Sequence, residues 1–188
     1  MRTRSKSIPR RQHDRERGLT LFELLVSVTV LLVALIGLIS VMYYTTRLNT
    51  TNRENLAALR AAERQIETLR AIKLEEIVPR YNATTSDDLG TGANPGAYFD
   101  VEGLKPVGPA RVGRIAFPGD GIKLLENVTD PAWGMPRDLN GNGIVDTTDV
   151  NGSDLKILPV LVEISWAGIQ GPRTMTYRHL IMRSGGGP

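Results

Sequence analysis

Twenty-four consecutive residues, Leu19–Met42 (LTLFELLVSVTVLLVALIGLISVM), contain a single ionisable side chain, Glu23. A helix over that run is roughly 36 Å long, enough to cross a hydrocarbon layer of ~30 Å. It is apolar on every side, so burying it in a soluble fold would require partner surface all around it. The remainder of a 188-residue chain cannot easily supply that. The run therefore reads as a membrane span, and the rest of the chain is organised around it.

Charge sets the orientation. Seven of the 23 basic groups and two of the 20 acidic groups lie in residues 1–18, a local net of +5. The other 170 residues carry 16 basic and 18 acidic groups, a net of −2. A basic tail before a span stays in the cytoplasm, which places everything after Met42 outside. Because the basic excess belongs to this tail and not to a folded face, no nucleic-acid partner is expected. An ordinary secretory signal would have a shorter apolar stretch ending in a small-x-small site. Leu38-Ile39-Ser40-Val41-Met42 offers no such site. The informative boundary is at the other end, Arg17-Gly18-Leu19-Thr20-Leu21-Phe22-Glu23, where a glycine gives a protease access to the backbone. A carboxylate five residues into an apolar helix is costly in lipid and wants a partner.

Gly18 followed by Leu19-Thr20-Leu21-Phe22-Glu23-Leu24-Leu25-Val26 resembles the cleavage and methylation motif of type IV pilins and type II secretion pseudopilins. The resemblance implies a cytoplasmic leader removed by a membrane-embedded prepilin peptidase between Gly18 and Leu19. The same enzyme would methylate the new Leu19 amine, and Glu23 would pair with the amine of a neighbouring subunit. Leu19 stands where phenylalanine is commoner. The implied partners are the peptidase/N-methyltransferase, sister pilin or pseudopilin subunits, the inner-membrane assembly platform and lipid.

Beyond Met42 the helical signal becomes one-sided. Leu56, Leu59, Ala62, Ile66, Leu69 and Ile72 form an apolar stripe, and Val78-Pro79 predicts the helix end. A continuous helix over 19–77 would measure roughly 88 Å. Residues 80–110 read as loop. Arg111–Phe117, a Pro118-Gly119-Asp120-Gly121 turn and Ile122–Val128 read as one hairpin. Leu158, Val160, Val162, Ile164 and Trp166 share one face of a strand that returns, after a turn at Gly168–Pro172, over Thr174–Met182. The expected fold class is α+β: a long N-terminal spine helix packed on a small antiparallel sheet, pilin-like. The expected organisation is a leader (1–18), a membrane and assembly helix (19–42), its amphipathic continuation (43–78), an extracytoplasmic β-rich domain (79–183) and a flexible tail (184–188).

Residues 138–149 (DLNGNGIVDTTD) carry oxygen side chains at loop positions 1, 3, 5, 9 and 12, with glycine at 6. That spacing suits calcium: positions 1, 3 and 5 point inward, the glycine permits the sharp turn, and position 7 offers its carbonyl. Val145, at position 8, is expected to tie the loop to the core. The stretch is similar to the calcium loops of dockerin modules and bacterial EF-hand-like proteins. That likeness implies Asp138, Asn140, Asn142, Asp146, Asp149 and the Ile144 carbonyl as ligands of a weak structural Ca²⁺ site, ~10⁻⁵ to 10⁻³ M. The single loop and flanking prolines make dockerin-type docking an unsuitable reading.

Enzymatic chemistry finds little support. Cysteine is absent, the two histidines are His13 and His179, and the Asp87-Asp88 pair lies in loop sequence. His179, Trp133 and Trp166 read as packed residues. The function expected is structural: a minor pilin or pseudopilin-like subunit, single-pass in the inner membrane, assembled through its N-terminal helix. The alternative is a membrane-anchored, calcium-stabilised binding module that enters no filament.

Overall fold

A computed structural model describes residues 20–84 and 96–183. The leader and the tail lie outside that range. Helix α1 spans Leu21–Arg70, and the division between the two compact bodies of the chain, residues up to Thr46 and residues from Arg47, falls within it. In the first body every residue from Thr20 to Thr46 is exposed. The hydroxyls of Ser27, Thr29, Ser40, Thr45 and Thr46 each donate to the carbonyl four residues back at 2.8–2.9 Å. Hydroxyls bonded in this way are satisfied within the helix and need no outside partner.

In the second body α1 buries Ala58, Ala62, Ile66 and Leu69, whereas Leu56 is 49 % exposed. The expected stripe was therefore rotated at its start. Two successive steps of three residues fall short of full turns by about 120° in all, which carries Leu56 off the face that Ala62 holds. The alanines occupy it instead.

A short turn at Ala71–Lys73 breaks the helix earlier than expected, and α2 (Leu74–Tyr81) follows with Pro79 inside it. Proline removes the N–H that would serve the Glu75 carbonyl. The Asn151 side-chain amide donates to that carbonyl at 3.4 Å, so the freed acceptor keeps a partner.

Four antiparallel strands, β1 (Tyr98–Phe99), β2 (Gly113–Ala116), β3 (Ile157–Gly168) and β4 (Gly171–Met182), form one sheet in that order. The β3–β4 hairpin is as expected, with Leu158, Val160, Val162, Ile164 and Trp166 at most 2 % exposed. The first hairpin is not. Ile122–Val128 forms no strand, only a bridge between Gly119 and Leu124, and the neighbour of β2 comes from the stretch read as loop. The reason is local. Asp120 Oδ1 accepts the Ile122 and Lys123 N–H groups, and Asp149 Oδ1 accepts that of Leu124, so these donors are spent before a ladder can form. Gly113 in turn leaves room for the Phe99 ring, which occupies the space a Cβ there would need. Two polar ties join helix to sheet: Trp166 Nε1 donates to Glu54 Oε2 at 3.3 Å, and Arg70 Nη2 lies 2.7 Å from His179 Nε2.

Candidate functional site

Gly18 and Leu19 lie outside the described residues. The structure begins at the residue that opens α1. Thr20 Oγ1 accepts the Glu23 N–H at 3.3 Å, and the Thr20 carbonyl accepts that of Leu24 at 3.1 Å. Thr20-Leu21-Phe22-Glu23 is thus one half of a capping box, a signal present in the sequence and overlooked there. Glu23 lies in the first turn, where unsatisfied N–H groups favour a negative charge. It is exposed on a helix whose most apolar stretch has a mean hydropathy of 2.9, none of it buried. That helix is long and apolar enough to cross a membrane.

The loop at 138–149 lies in the second body and is built around hydrogen bonds to carboxylates. Asp138 accepts the N–H groups of Gly141 and, at 2.7 Å, Gly143. The Gly143 bond is the main cause that holds the Asp138 carboxyl below its usual range; partial desolvation opposes it, and the Lys156 charge adds a smaller push. Asn140 Oδ1 accepts from Asn142 N at 2.9 Å, and Asn142 Oδ1 accepts from Ile144 N at 2.7 Å. Asp146 Oδ2 receives both asparagine amides, at 3.2 and 2.9 Å. The structure therefore joins Asn140 and Asn142 to Asp146 by side-chain bonds and turns Asp138 onto the backbone of the same loop. It places Asp149 elsewhere: that carboxylate caps the Leu124 and Asn151 N–H groups, each at 3.1 Å. Among the described residues, no three His, Asp or Glu side chains form a metal-sized cluster.

Val145 does not tie the loop to the core. It is 42 % exposed, and Leu139 at position 2 is fully buried in its place. The Leu139 carbonyl accepts the N–H groups of Lys156 and Ile157, which fixes its backbone beside the start of β3. The residue that sequence reasoning missed is Glu126. It is 0 % exposed, and its carboxylate accepts the N–H groups of Leu139 (2.6 Å), Asn140 (3.2 Å) and Asp146 (2.8 Å). One buried carboxylate thus clasps both arms of the loop. A signal existed: in Ile122-Lys123-Leu124-Leu125-Glu126-Asn127-Val128 the glutamate shares its alternation with Leu124 and Val128.

The loop presents hard oxygen donors, two carboxylates and two amides around one turn, of the kind calcium takes. His179 faces α1 and accepts from Arg70; Trp166 is core, and Trp133 is half-buried in a short turn over Pro131–Trp133.

Comparison with curated proteins gives no match, and comparison with solved structures gives none either. Residues 13–39 match the profile of the prokaryotic N-terminal methylation motif, and this stretch contains Gly18, Leu19 and Glu23. With the apolar helix that follows, the match supports membrane anchoring and a pilin- or pseudopilin-type precursor, structural in role, of the kind a prepilin peptidase processes.

Proposed function

We propose that this chain is a structural subunit, a minor pilin or pseudopilin, of a type IV pilus or type II secretion filament. Its leader stays in the cytoplasm and its β-rich domain lies outside. Prepilin peptidase cuts between Gly18 and Leu19 and methylates the Leu19 amine; the assembly platform then passes the helix into a filament of sister subunits. The observation that carries this reading is the methylation-motif match over 13–39, placed at the head of a helix whose first half, Leu21–Met42, is exposed and apolar apart from Glu23 and a few hydroxyls. A fully exposed apolar helix needs a greasy environment, either lipid or a bundle of like helices, and a lone carboxylate inside it needs a positive partner. The freed amine of a neighbour's Leu19 is that partner.

Glu23 also starts the helix, so the clean variant is Glu23→Gln, which keeps an N3 amide able to close a capping box but removes the charge. It should be cleaved and inserted normally yet be depleted at least about tenfold from sheared filament fractions, the loss of one buried charge pairing. Wild-type levels of Glu23→Gln in filaments would remove the assembly role of the carboxylate.

We also propose that the 138–149 loop holds a structural calcium ion. Asp138, Asn140, Asn142 and Asp146 would supply side-chain oxygens, and Ile144 its carbonyl; the bonds of both asparagine amides to Asp146 support this reading. The bound ion would neutralise the loop carboxylates and stiffen that corner of the domain.

A further inference from the structure

We propose that Lys156 is a built-in rival cation that sets the calcium affinity of the 138–149 loop, an inference that rests on the calcium reading above. The backbone N–H groups of Lys156 and Ile157 both donate to the Leu139 carbonyl, at 2.9 and 3.0 Å, so the base of the lysine is fixed beside the loop's first turn. Its side chain returns across that turn, and Nζ donates to the Gly141 carbonyl at 3.2 Å. Gly141 makes the seat. It has φ +72°, and a Cβ there would lie 2.5 Å from the ammonium and 2.9 Å from a lysine methylene. Lys156 also lines a cavity of about 390 Å³ with Asn140, Asn142, Asp154 and Arg183.

The oxygens of the loop therefore already have a positive neighbour that belongs to the chain. A divalent ion among Asp138, Asn140, Asn142 and Asp146 would sit a few ångströms from that ammonium, and like charges at such a distance raise each other's energy. Lys156 is exposed, so the repulsion is screened by water and salt and the side chain can swing away, at the loss of its bond to Gly141. Lys156 thus opposes calcium through its charge, since its bond is to the Gly141 carbonyl and not to a candidate ligand oxygen. Asp154, in the same cavity, is an acidic neighbour for the displaced ammonium.

The test is calorimetric titration of CaCl₂ into the full-length chain in detergent micelles. Lys156→Met keeps the methylene stem and removes the charge; it should bind calcium about three- to tenfold more tightly than wild type. Lys156→Arg should bind as wild type does. The gap between Met variant and wild type should narrow from low to high KCl, a dependence that a purely packing effect would not produce. Damage to the loop would weaken binding, so a tighter variant cannot arise from misfolding. Equal or weaker binding by Lys156→Met, with wild type binding, would overturn the role of Lys156 and leave the calcium site standing. Absence of calcium binding by all three proteins would overturn the calcium reading and this inference with it.

Discussion

Glu126 and Asp138 show how much of the second body's irregular half depends on carboxylates that accept backbone N–H groups. Glu126 holds three such donors out of solvent, and Asp138 holds two at the tip of the loop. Asp138 is met by backbone N–H dipoles and the Lys156 charge, and Asp146 by the two asparagine amides. If calcium enters, folded protein gains RT ln(1 + [L]/Kd), about 2.7 kcal/mol at one hundred times Kd. The full-length chain in detergent should therefore melt several degrees higher in millimolar CaCl₂ than in EDTA, about 2–4 °C per kcal/mol at this size. Asp146→Asn keeps the shape but removes one carboxylate and should lose most of that increment. Asp138→Ala should melt lower even in EDTA, because it deprives Gly141 and Gly143 of their acceptor. Identical melting of wild type in calcium and chelator would reduce the loop to a turn. The oxygen spacing of the loop was legible because it is a pattern of side chains along the chain. For Glu126 alternation hinted at burial but not at its role, because its partners are backbone groups contributed from 13 to 20 residues away.

At the level of elements, the regular parts were legible and the exceptions were those in which a side chain replaced a backbone partner. The β3–β4 hairpin follows from alternation over long runs and a glycine-rich turn, both local. The α1–α2 break and the proline within α2 do not, because Asn151 serves the Glu75 carbonyl from 76 residues away. β1 is two residues long, below the length at which alternation can be read, and Asp120 and Asp149 dismantle the strand that alternation suggested. The tie between α1 and β4 carries its own prediction. Burial first, and then the Arg70 charge, lower the His179 pKa from its ordinary 6.5, while Glu67 opposes. A histidine whose folded pKa is depressed favours the folded state when neutral, so its contribution is present above about pH 6.5 and lost as pH falls through the lowered value. Neutral His179 can accept from Arg70; the imidazolium cannot and repels it. The melting temperature should drop by about 2 °C from pH 7.5 to 5.5 through this group. In His179→Gln, whose amide oxygen can still accept from Arg70, that part of the pH dependence should vanish. An unchanged pH profile in the glutamine variant would show that the tie does not titrate.

For the whole molecule, the two bodies answer to different surroundings. From Arg47 on, the chain has a core of its own, with Leu69, Ile77, Leu124, Leu139 and Trp166 shielded from water. Between Thr20 and Thr46 every residue is exposed, and lipid or other helices could shield that stretch. A chain of this kind is explained if the helix exists to be handed from a membrane to an assembly. On the function proposed above, the step that commits it would be removal of the basic leader, freeing the amine that Glu23 would meet. The most direct measurement is the intact mass and N-terminal peptide of the protein purified from cells that contain the peptidase, beside its Gly18→Val variant. The account predicts a wild-type chain that begins at Leu19 with one added methyl group, and a variant that keeps residues 1–18 because the side chain at position 18 blocks the cut. A wild-type protein that retains its leader, or a Gly18→Val chain that matures normally, would contradict it.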